Sequence, residues 1–283
     1  ANQSTADLRW YLFGSNQFGG GVSNAHNGVM AYEHAYQGVE ARKAYFFMGD
    51  AMVCMGSGIK AARTQEVRTS VNQCLANGEV TYGLSGHTYR LTNNLSDKNI
   101  DWAYHDNVGY IFPQNESVTL RKAKQTGAWR ELEVTASDKP VTKEIFSLWV
   151  SHGTTPQHED YCYIIMPDKP LSYFTDKKFE NEIKIIVNSE QIQAISNENK
   201  RQYAAVFYEP GEIRFAEDLV VAVNKKVIIY IEKKDKQYEI AVADPLYKEQ
   251  SLQLSMNGEQ INIVFPSGDY SGSSVIKHIT EKH

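Results

Sequence analysis

The chain has 283 residues, 42% of them hydrophobic, and a formal net charge of -5 at neutral pH. This length predicts about two domains, and the apolar content is enough to fill two cores. The acidic balance argues against nucleic acid as a partner, because phosphate binding needs a concentrated Lys and Arg surface. The longest apolar runs, KVIIYI and CYIIM, have the length of strands, so no membrane-spanning segment is expected.

The first residues, ANQSTADLRW, have neither a basic start nor an apolar core. No signal peptide is therefore expected here, and the chain is mature, truncated or cytosolic. Three cysteines, Cys54, Cys74 and Cys162, lie in apolar or strand-like surroundings and allow one disulfide at most. Buried thiols are the preferred interpretation, because free Cys behaves as a small hydrophobe.

Short runs rich in Val, Ile, Tyr, Phe and Thr, separated by Gly, Asn, Asp and Pro, predict strands and turns along the first part of the chain. After a Gly-rich turn, a dense meander is predicted through GVMAYEHAY, ARKAYFFMGD and AMVCMGSGI. EVRTSVNQCL and NGEVTYG follow, with a hairpin predicted at Asn77–Gly78. The meander continues through HTYRLTNN, IDWAYHDNVGYIFP, SVTLRKAKQTGAWRELEV, VTKEIFSLWVSHG and DYCYIIMP. One sheet cannot bury so many strands, so a large two-layer sandwich is expected.

The composition changes near Asp168, where DKPLSYFTDKKFENE separates the aromatic-rich part from a set of shorter strands. The alternation in KVIIYIEKKDKQYEIAVAD predicts a Lys-capped hairpin with one solvated face. The tail SGSSVIKHITEKH is expected to fray. The predicted fold class is therefore all-β: a large antiparallel β-sandwich over residues 1–172, a smaller C-terminal β-sandwich over residues 173–283, and no helix longer than a few turns.

The meander of residues 16–60 resembles the central β-domain of polysaccharide lyase family 8, which contains chondroitin AC lyase, hyaluronate lyase and xanthan lyase. The resemblance continues through WAYHDNVGYIFP, QTGAWREL and FSLWVSHGTTPQHEDYCYIIMP. The later strands are similar to the small C-terminal sandwich of that family. Nearly the whole chain is covered, and the combination of AKKxWFF-like, CxGxGI-like and WxxHG-like segments is more specific than any one of them. The resemblance implies a supersandwich-like fold.

The resemblance also implies a function, the cleavage of an acidic polysaccharide by β-elimination. In this family an Asn neutralises the uronate carboxylate, His and Tyr act as base and acid, and an Arg assists. All of these lie on an upstream helical toroid, and a Glu and an Asn at the start of the β-domain complete the site. No residue of this chain matches them, so no catalytic residue is transferred, and the isolated chain is expected to be inactive.

The expected partners are thus an acidic polysaccharide and the helical toroid of the same enzyme, with no cofactor and a secreted or periplasmic location. Chondroitin and hyaluronan are the preferred substrates, because the central pattern is closest to the chondroitin AC and hyaluronate enzymes. Two alternatives remain open: a non-catalytic carbohydrate-binding module and a purely structural β-module.

The predicted substrate-binding residues are Arg9, Trp10 and Asn16. They belong to the segment that would lie beside the missing catalytic domain. An Arg can pair with a sugar carboxylate or sulfate, and a Trp can stack on a pyranose face. Arg42 and Lys43 are a second possible source of local positive charge. Trp102, Trp129 and Trp149 lie within strand patterns and are expected in the core.

The remaining chemistry-bearing residues have simpler explanations. His26 lies in a loop, Tyr32 and His34 are expected on one strand face with Glu33 on the other, and His105–Asp106 is expected at a turn. The cluster His152, His158, Glu159 and Asp160 fits no zinc spacing, and an acidic surface loop is preferred over a calcium site there, so no metal is predicted. Gly19–Gly21 is not followed by a helix pattern, so a tight turn or a close backbone approach is preferred over a phosphate cradle.

Overall fold

The computed structural model describes residues 16–62 and 64–281. Within these residues the only α-helix is the short α1 (Leu171–Thr175), which lies between two groups of strands. The first group comprises β1 (Gly19–Ser23), β2 (Gly28–Tyr36), β3 (Val39–Met48), β4 (Ala51–Ala61), β5 (Arg68–Leu75), β6 (Val80–Leu84), β7 (His87–Arg90), β8 (Leu95–Asp97), β9 (Ile100–His105), β10 (Val108–Ile111), β11 (Val118–Gly127), β12 (Val141–Ser151) and β13 (Glu159–Pro167). The second group comprises β14 (Lys184–Asn188), β15 (Ile192–Asn197), β16 (Gln202–Phe207), β17 (Gly211–Ala216), β18 (Leu219–Val223), β19 (Val227–Lys234), β20 (Gln237–Ala243), β21 (Ser251–Met256), β22 (Glu259–Val264) and β23 (Val275–Thr280).

The first group of strands forms two antiparallel sheets. Sheet A has nine described strands in the order β1-β2-β3-β4-β13-β10-β9-β6-β7, and sheet B has four in the order β5-β12-β11-β8. Alternate side chains of the strands meet between them, among them Tyr161 of sheet A and Phe146 of sheet B. The two sheets therefore make the large sandwich that the sequence predicts.

The second group also forms two sheets, of which sheet C has six described strands (β14-β15-β16-β19-β20-β23) and sheet D four (β17-β18-β21-β22). The central strands of sheet C, β15, β16, β19 and β20, are buried on both faces. Along β19, Ile228 and Tyr230 pack against residues of sheet A, whereas Ile229 and Ile231 pack against sheet D. The order of layers is thus B, A, C, D, with a core between each pair.

The burial of both faces explains the unbroken apolar run of β19. The predicted Lys-capped hairpin is present, since β19 pairs with β20 around Asp235, whose φ is 54°. The expectation that one of its faces is solvated is wrong, because sheet A covers the face that a free sandwich would expose. Continuous rather than alternating hydrophobicity is typical of a strand buried on both sides.

Three local expectations also differ from the structure. Asn77–Gly78 does not connect a hairpin, because β5 pairs with β12 in sheet B while β6 pairs with β7 and β9 in sheet A. The turn signal is real, since the φ of Gly78 is 77°, but it carries the chain from one sheet to the other. The segment after β11 is not strand but a 3-10 turn at Trp129–Glu131. The predicted fraying is wrong for Val275–Thr280, which pairs with β20.

The tryptophans and cysteines test the predicted core. Trp102 is buried as expected, but Trp129 is 64% exposed. Trp149 lies half-buried on the outer face of sheet B, where the Arg68 guanidinium is 4.6 Å from its ring. The expected core packing is therefore wrong for both residues. Trp149 points outward because a strand places only every second side chain inward, and Trp129 lies beyond the end of β11 at Gly127.

All three cysteines are free thiols; Cys54 and Cys162 are buried and Cys74 is partly buried.

The all-β fold class is confirmed, and the two sandwiches share a continuous core. Phe174 of α1 is fully buried, and a Cβ atom on Gly109 would overlap its ring. Arg42 of β3 donates to the main-chain oxygen of Glu190 and lies 5.2 Å from the ring centre of Tyr208. The division of the chain at residues 172 and 173 remains a prediction.

Candidate functional site

Part of sheet A is not covered by sheet B. On the sheet B side of β2 and β3, the strand alternation presents a set of side chains that are partly or largely exposed, and we call this set the open face. Residues of β1 and β2 do not take part in the described core between sheets A and B. The open face consists of Met30, Tyr32, His34, Lys43, Tyr45 and Phe47.

Strand register arranges the open face in rows that cross sheet A. In one row Gly19 pairs with Tyr32, Tyr32 with Lys43, Lys43 with Gly56, and Gly56 with Tyr161. The next row runs through Gly21, Met30, Tyr45, Cys54 and Tyr163. Directly paired residues have Cβ atoms about 5 Å apart, so each row is a line of touching side chains.

At two glycines in this part of sheet A, a neighbouring group occupies the space that a side chain would need. Gly56 has no side chain, and the ring of Tyr161 lies over it, so that a Cβ atom there would overlap the ring. A Cβ atom on Gly21 would lie 2.9 Å from the main-chain oxygen of Val29. The predicted close backbone approach is therefore present at Gly21. The predicted turn at Gly19–Gly21 is wrong, because these residues belong to β1 and pair with β2.

Two tyrosines form the centre of the open face. The rings of Tyr32 and Tyr45 stack at 6.4 Å with an interplanar angle of 14°. Burial, followed by the neighbouring Tyr32, raises the pKa of Tyr45 well above its usual range. Tyr161 and Tyr163 stack at 5.7 Å behind them. The phenols of Tyr45, Tyr161 and Tyr163, whose pKa values burial raises, stay neutral at physiological pH. The four tyrosines offer hydroxyl donors beside flat apolar rings.

One lysine and two histidines accompany the tyrosines. Burial lowers the pKa of Lys43. Burial first, and the charge of Lys43 second, lowers the pKa of His34. The same two causes lower the pKa of His152 to about 4. The two imidazoles are thus neutral at pH 7, and Lys43 is the cationic group of the open face.

A groove of about 690 Å³ adjoins the open face at the edge of sheet A. Its lining includes Met30, Tyr32 and Phe47 of the open face, His26 of the β1–β2 loop, and Tyr247 of the second sandwich. Met30 is 47% exposed and Phe47 42% exposed, so this is an accessible, largely apolar surface.

The predicted substrate-binding residues are only partly described. Arg9 and Trp10 lie outside the described residues. Asn16 is exposed, and its side-chain amide donates to the main-chain oxygen of Glu33 on β2. Asn16 therefore lies beside Tyr32 and His34, at the border of the open face. Arg42 points to the opposite side of β3, where it pairs with Glu33 at 3.4 Å.

The predicted turn at His105–Asp106 is confirmed. Asp106 and Asn107 have φ angles of 50° and 61° between β9 and β10. His105 is 1% exposed and its ring packs 4.6 Å from Phe146, so it belongs to the core.

The residues of the predicted acidic loop are dispersed. His152 is buried and its Nε2 lies 2.8 Å from the hydroxyl of Thr69, whereas His158 lies 2.6 Å from a carboxylate oxygen of Glu190. Within residues 16–62 and 64–281 no group of three or more His, Cys, Asp or Glu side chains could hold a metal ion. No helix of this described part is long and apolar enough to cross a bilayer.

Sequence reasoning noted Lys43 only as local charge and passed over Tyr45. The signal was present, because GVMAYEHAY and ARKAYFFMGD each alternate, with Ala31, Ala44 and Phe46 on one face. The other face carries polar aromatic residues that a fully covered sheet would not need. The missing information was which strands sheet B leaves uncovered, and that depends on long-range pairing.

Comparison with known protein families gives matches in both groups of strands. The model of the polysaccharide lyase family 8 super-sandwich domain matches residues 1–178. The model of the polysaccharide lyase family 8 C-terminal beta-sandwich domain matches residues 184–253.

Individual relatives agree with these matches. Chondroitinase-AC of Pedobacter heparinus is 31% identical over 277 residues, which are 94% of this chain and 39% of that protein. Hyaluronate lyase of Thermasporomyces composti is 24% identical over 83% of this chain and 30% of that protein. The chain thus spans less than half the length of the curated relatives it matches.

Solved structures match as well. A structure of chondroitinase AC lyase, described with its oligosaccharide complexes, superposes with a TM-score of 0.88 and 29% identity over 95% of this chain and 40% of that chain. Xanthan lyase of Paenibacillus, at 18% identity, shares the fold with a TM-score of 0.84 over 96% of this chain and 29% of that one. With matches in both sandwiches and along nearly the whole sequence, this chain belongs to polysaccharide lyase family 8.

Proposed function

We propose that the chain is the β-sandwich part of a lyase that cleaves a uronate-containing polysaccharide by β-elimination, with chondroitin or hyaluronan as the substrate. The observation that carries this proposal is the identity of 31% to chondroitinase-AC over 94% of the chain. The open face of sheet A supports it, since stacked tyrosines and a cationic lysine suit a flat, acidic saccharide.

The elimination requires a base that removes the proton beside the uronate carboxyl group and an acid that protonates the leaving glycosidic oxygen. Within the described residues, His34 and Tyr32 are adjacent on the open face, with ring centres 6.5 Å apart. They lack the Asn with which the family neutralises the carboxylate and the Arg that assists. In this proposal a helical toroid of the same protein supplies the acid and the base.

The chain then contributes one wall of the substrate cleft. Tyr32 and Tyr45 give the sugar rings a stacking surface, and the adjoining groove widens the contact. Arg9 and Trp10 remain proposed contacts to the sugar, together with Asn16. Because such polysaccharides are too large to enter a cell intact, the proposed location is secreted or periplasmic.

The test is to incubate the full-length protein with chondroitin and with hyaluronan and to follow the ultraviolet absorbance of the unsaturated uronate product. We expect a steady rise with the full-length protein and no rise with the 283-residue chain alone. In the full-length protein, Trp10→Ala is expected to raise KM. A robust rise with the 283-residue chain, abolished by His26→Ala or His34→Ala, would contradict the proposed division of labour.

A non-catalytic carbohydrate-binding module is the second candidate, and the open face favours it as well. It predicts measurable glycan affinity together with a full-length protein that forms no unsaturated product.

A further inference from the structure

Lys43 differs from the other lysines of its surroundings because none of the described residues is its anionic partner. Nearby, Lys60 pairs with Glu40 at 2.8 Å, and Lys169 pairs with Asp50 at 2.8 Å. Among the described residues no carboxylate lies within ion-pairing distance of Lys43, and burial is the only cause that shifts its pKa. A half-buried, unpaired ammonium group costs free energy, because desolvation is not offset by a counter-charge.

The neighbours of Lys43 explain why this cost is not relieved within residues 16–62 and 64–281. In its row, Lys43 lies between Tyr32 and Gly56, and the Tyr161 ring covers Gly56. The charge of Lys43 also reaches the imidazoles of His34 and His152. Tyrosine and neutral histidine orient dipoles toward an ammonium group but supply no full negative charge. The counter-charge is therefore left to a ligand.

We propose that Lys43 is the anion-binding residue of the open face and donates to the carboxylate or sulfate group of an acidic saccharide that lies across Tyr32 and Tyr45. The class of saccharide rests on the proposed function, whereas the need for an anion rests on the unpaired ammonium group. Binding pairs the charge of Lys43, and the stacked rings beside it fix the plane of the sugar.

The rigidity of the site favours this role. Lys43 lies inside a continuous antiparallel meander, paired on one side with β2 and on the other with β4. Its backbone does not have to order when a ligand binds, so little of the interaction free energy is lost to conformational entropy. A charge-assisted hydrogen bond at such a position changes the affinity about tenfold or more.

The test measures binding of three tetrasaccharides to the 283-residue chain by calorimetry. The first is from hyaluronan and carries carboxylates only, the second is carboxyl-reduced chondroitin sulfate and carries sulfates only, and the third is carboxyl-reduced hyaluronan and carries no charge. Lys43→Met is expected to weaken binding of at least one charged probe about tenfold or more and to leave the neutral probe unchanged. The charged probe that is affected identifies the group that Lys43 binds.

Two variants control this comparison. Lys43→Arg keeps the charge and is expected to retain most of the affinity. Lys122→Met removes a partly buried strand lysine that already pairs with Glu144 at 3.6 Å, and it should leave all three affinities unchanged. The free energy of unfolding of Lys43→Met should not fall, because an unpaired buried charge is removed, so loss of folding does not confuse the result.

A second readout is independent of affinity. The pKa of His34, followed by nuclear magnetic resonance, should rise when a charged probe binds, because the anion offsets the field of Lys43. Lys43→Met should raise the pKa of His34 in the free protein and abolish the further change.

Equal affinities of wild type and Lys43→Met for both charged probes would overturn the inference while leaving the proposed function intact. Absence of binding to every probe would overturn it as well. The product assay on the full-length protein would then decide the proposed function separately.

Discussion

Glu116 is a buried carboxyl group that joins the β10–β11 connection to β13 through one hydrogen bond. It is 7% exposed, and its Oε1 accepts from the main-chain N–H of Cys162 at 2.8 Å. Burial raises the pKa of Glu116 to about 7, and the nearby carboxylates of Asp160 and Glu159 add to the increase. Between pH 4.5 and about 7 the folded protein therefore retains a proton that the unfolded chain has released.

This raised pKa makes stability fall as the pH rises. Between the ordinary value of 4.5 and about 7 the folded state binds more protons than the unfolded state, so the contribution of Glu116 is present below pH 4.5 and is lost through pH 7. Glu116→Gln keeps an acceptor for Cys162 and cannot ionise. It should raise the free energy of unfolding at pH 8 by about 1–3 kcal/mol and have little effect at pH 4.5.

Urea unfolding of wild type and variant at several pH values measures this difference. The exposed Glu212 provides the control, since Glu212→Gln should leave the pH dependence unchanged. Parallel stability curves for wild type and Glu116→Gln would contradict the assignment.

Gly56 is a second residue whose environment restricts the sequence, because no side chain fits at this position. Gly56→Ala forces the added methyl group into the ring of Tyr161, which is 1% exposed and packed between sheets A and B. Because neither the ring nor the backbone has free space, we expect a loss of about 1–3 kcal/mol in the free energy of unfolding. Gly127→Ala is the matched control, because the nearest atom to its Cβ would be 3.7 Å away, and its effect on urea unfolding should be small.

At this scale the sequence predicted the chemistry of residues better than their positions. Tyr32 and His34 share a strand face, as the alternation requires, and His105–Asp106 lies at a turn. Trp129 was expected in the core and is exposed, because the strand that would have carried it ends at Gly127. The role of Gly56 depends on Tyr161, more than a hundred residues away, and no local pattern contains that information.

Sheet C is the element on which both halves of the molecule pack. Neighbouring residues of β19 point to different cores: Ile228 contacts the core shared with sheet A, and Ile229 contacts the core shared with sheet D. Both are fully buried. The strand therefore resembles a central strand of a layered protein more than a strand of an isolated two-sheet sandwich.

Alanine substitutions on β19 test the burial of both faces. Ile228→Ala and Ile229→Ala should each lower the free energy of unfolding by about 2–5 kcal/mol, because each leaves a cavity in a packed core. Ile276→Ala on β23, where the side chain is 44% exposed, should cost much less. If Ile228→Ala proves as mild as Ile276→Ala in denaturant unfolding, the face toward sheet A is solvated after all.

Hairpins were predictable from the sequence where the turn residues alone determine which strands pair. The hairpin of β19 and β20 follows from its Lys and Asp residues, and the hairpin of β9 and β10 follows from Asp106 and Asn107. The hairpin predicted at Asn77–Gly78 is absent, because a turn sequence determines the local backbone and not the sheet that the next strand joins. The pairing of β5 with β12 joins segments that are far apart in sequence.

The four sheets form one continuously packed stack, so the two sandwiches are expected to unfold together. Tryptophan fluorescence allows a direct test of this expectation. Every tryptophan precedes residue 150, so intrinsic tryptophan fluorescence reports on the first sandwich alone. Ile229→Ala perturbs the opposite core, between sheets C and D. Because the core between sheets A and C joins the two sandwiches, we expect this variant to shift the fluorescence transition as much as the far-ultraviolet circular dichroism transition.

The corresponding perturbation within the first sandwich, Leu148→Ala in the core between sheets A and B, is the reference for full coupling. A fluorescence midpoint that does not move in Ile229→Ala, while the circular dichroism curve splits into two steps, would show that the sandwiches unfold independently.

At the largest scale, the all-β class and the family were predictable, because they depend on period-two patterning and on several motifs taken together. The stacking of sheet A on sheet C was not, because it requires knowing that the inner faces of two sandwiches meet. From the sequence alone, the apolar residues Phe18 and Phe46 fit the core of one sandwich as well as they fit a contact between two sandwiches.

The ring of Phe174, lodged over Gly109, has a mechanical consequence. The chain that joins the sandwiches is fastened to the first one at this point, and Arg42 and Asn188 join the two at another. A hinge needs a few residues whose backbone angles can change freely, and several residues of this junction are exposed. Rotation about them would, however, open the core that sheets A and C share, so we expect the two sandwiches to move as one rigid body. If the protein is the polysaccharide lyase proposed above, we expect its cleft to open between the open face of sheet A and the domain that covers this face.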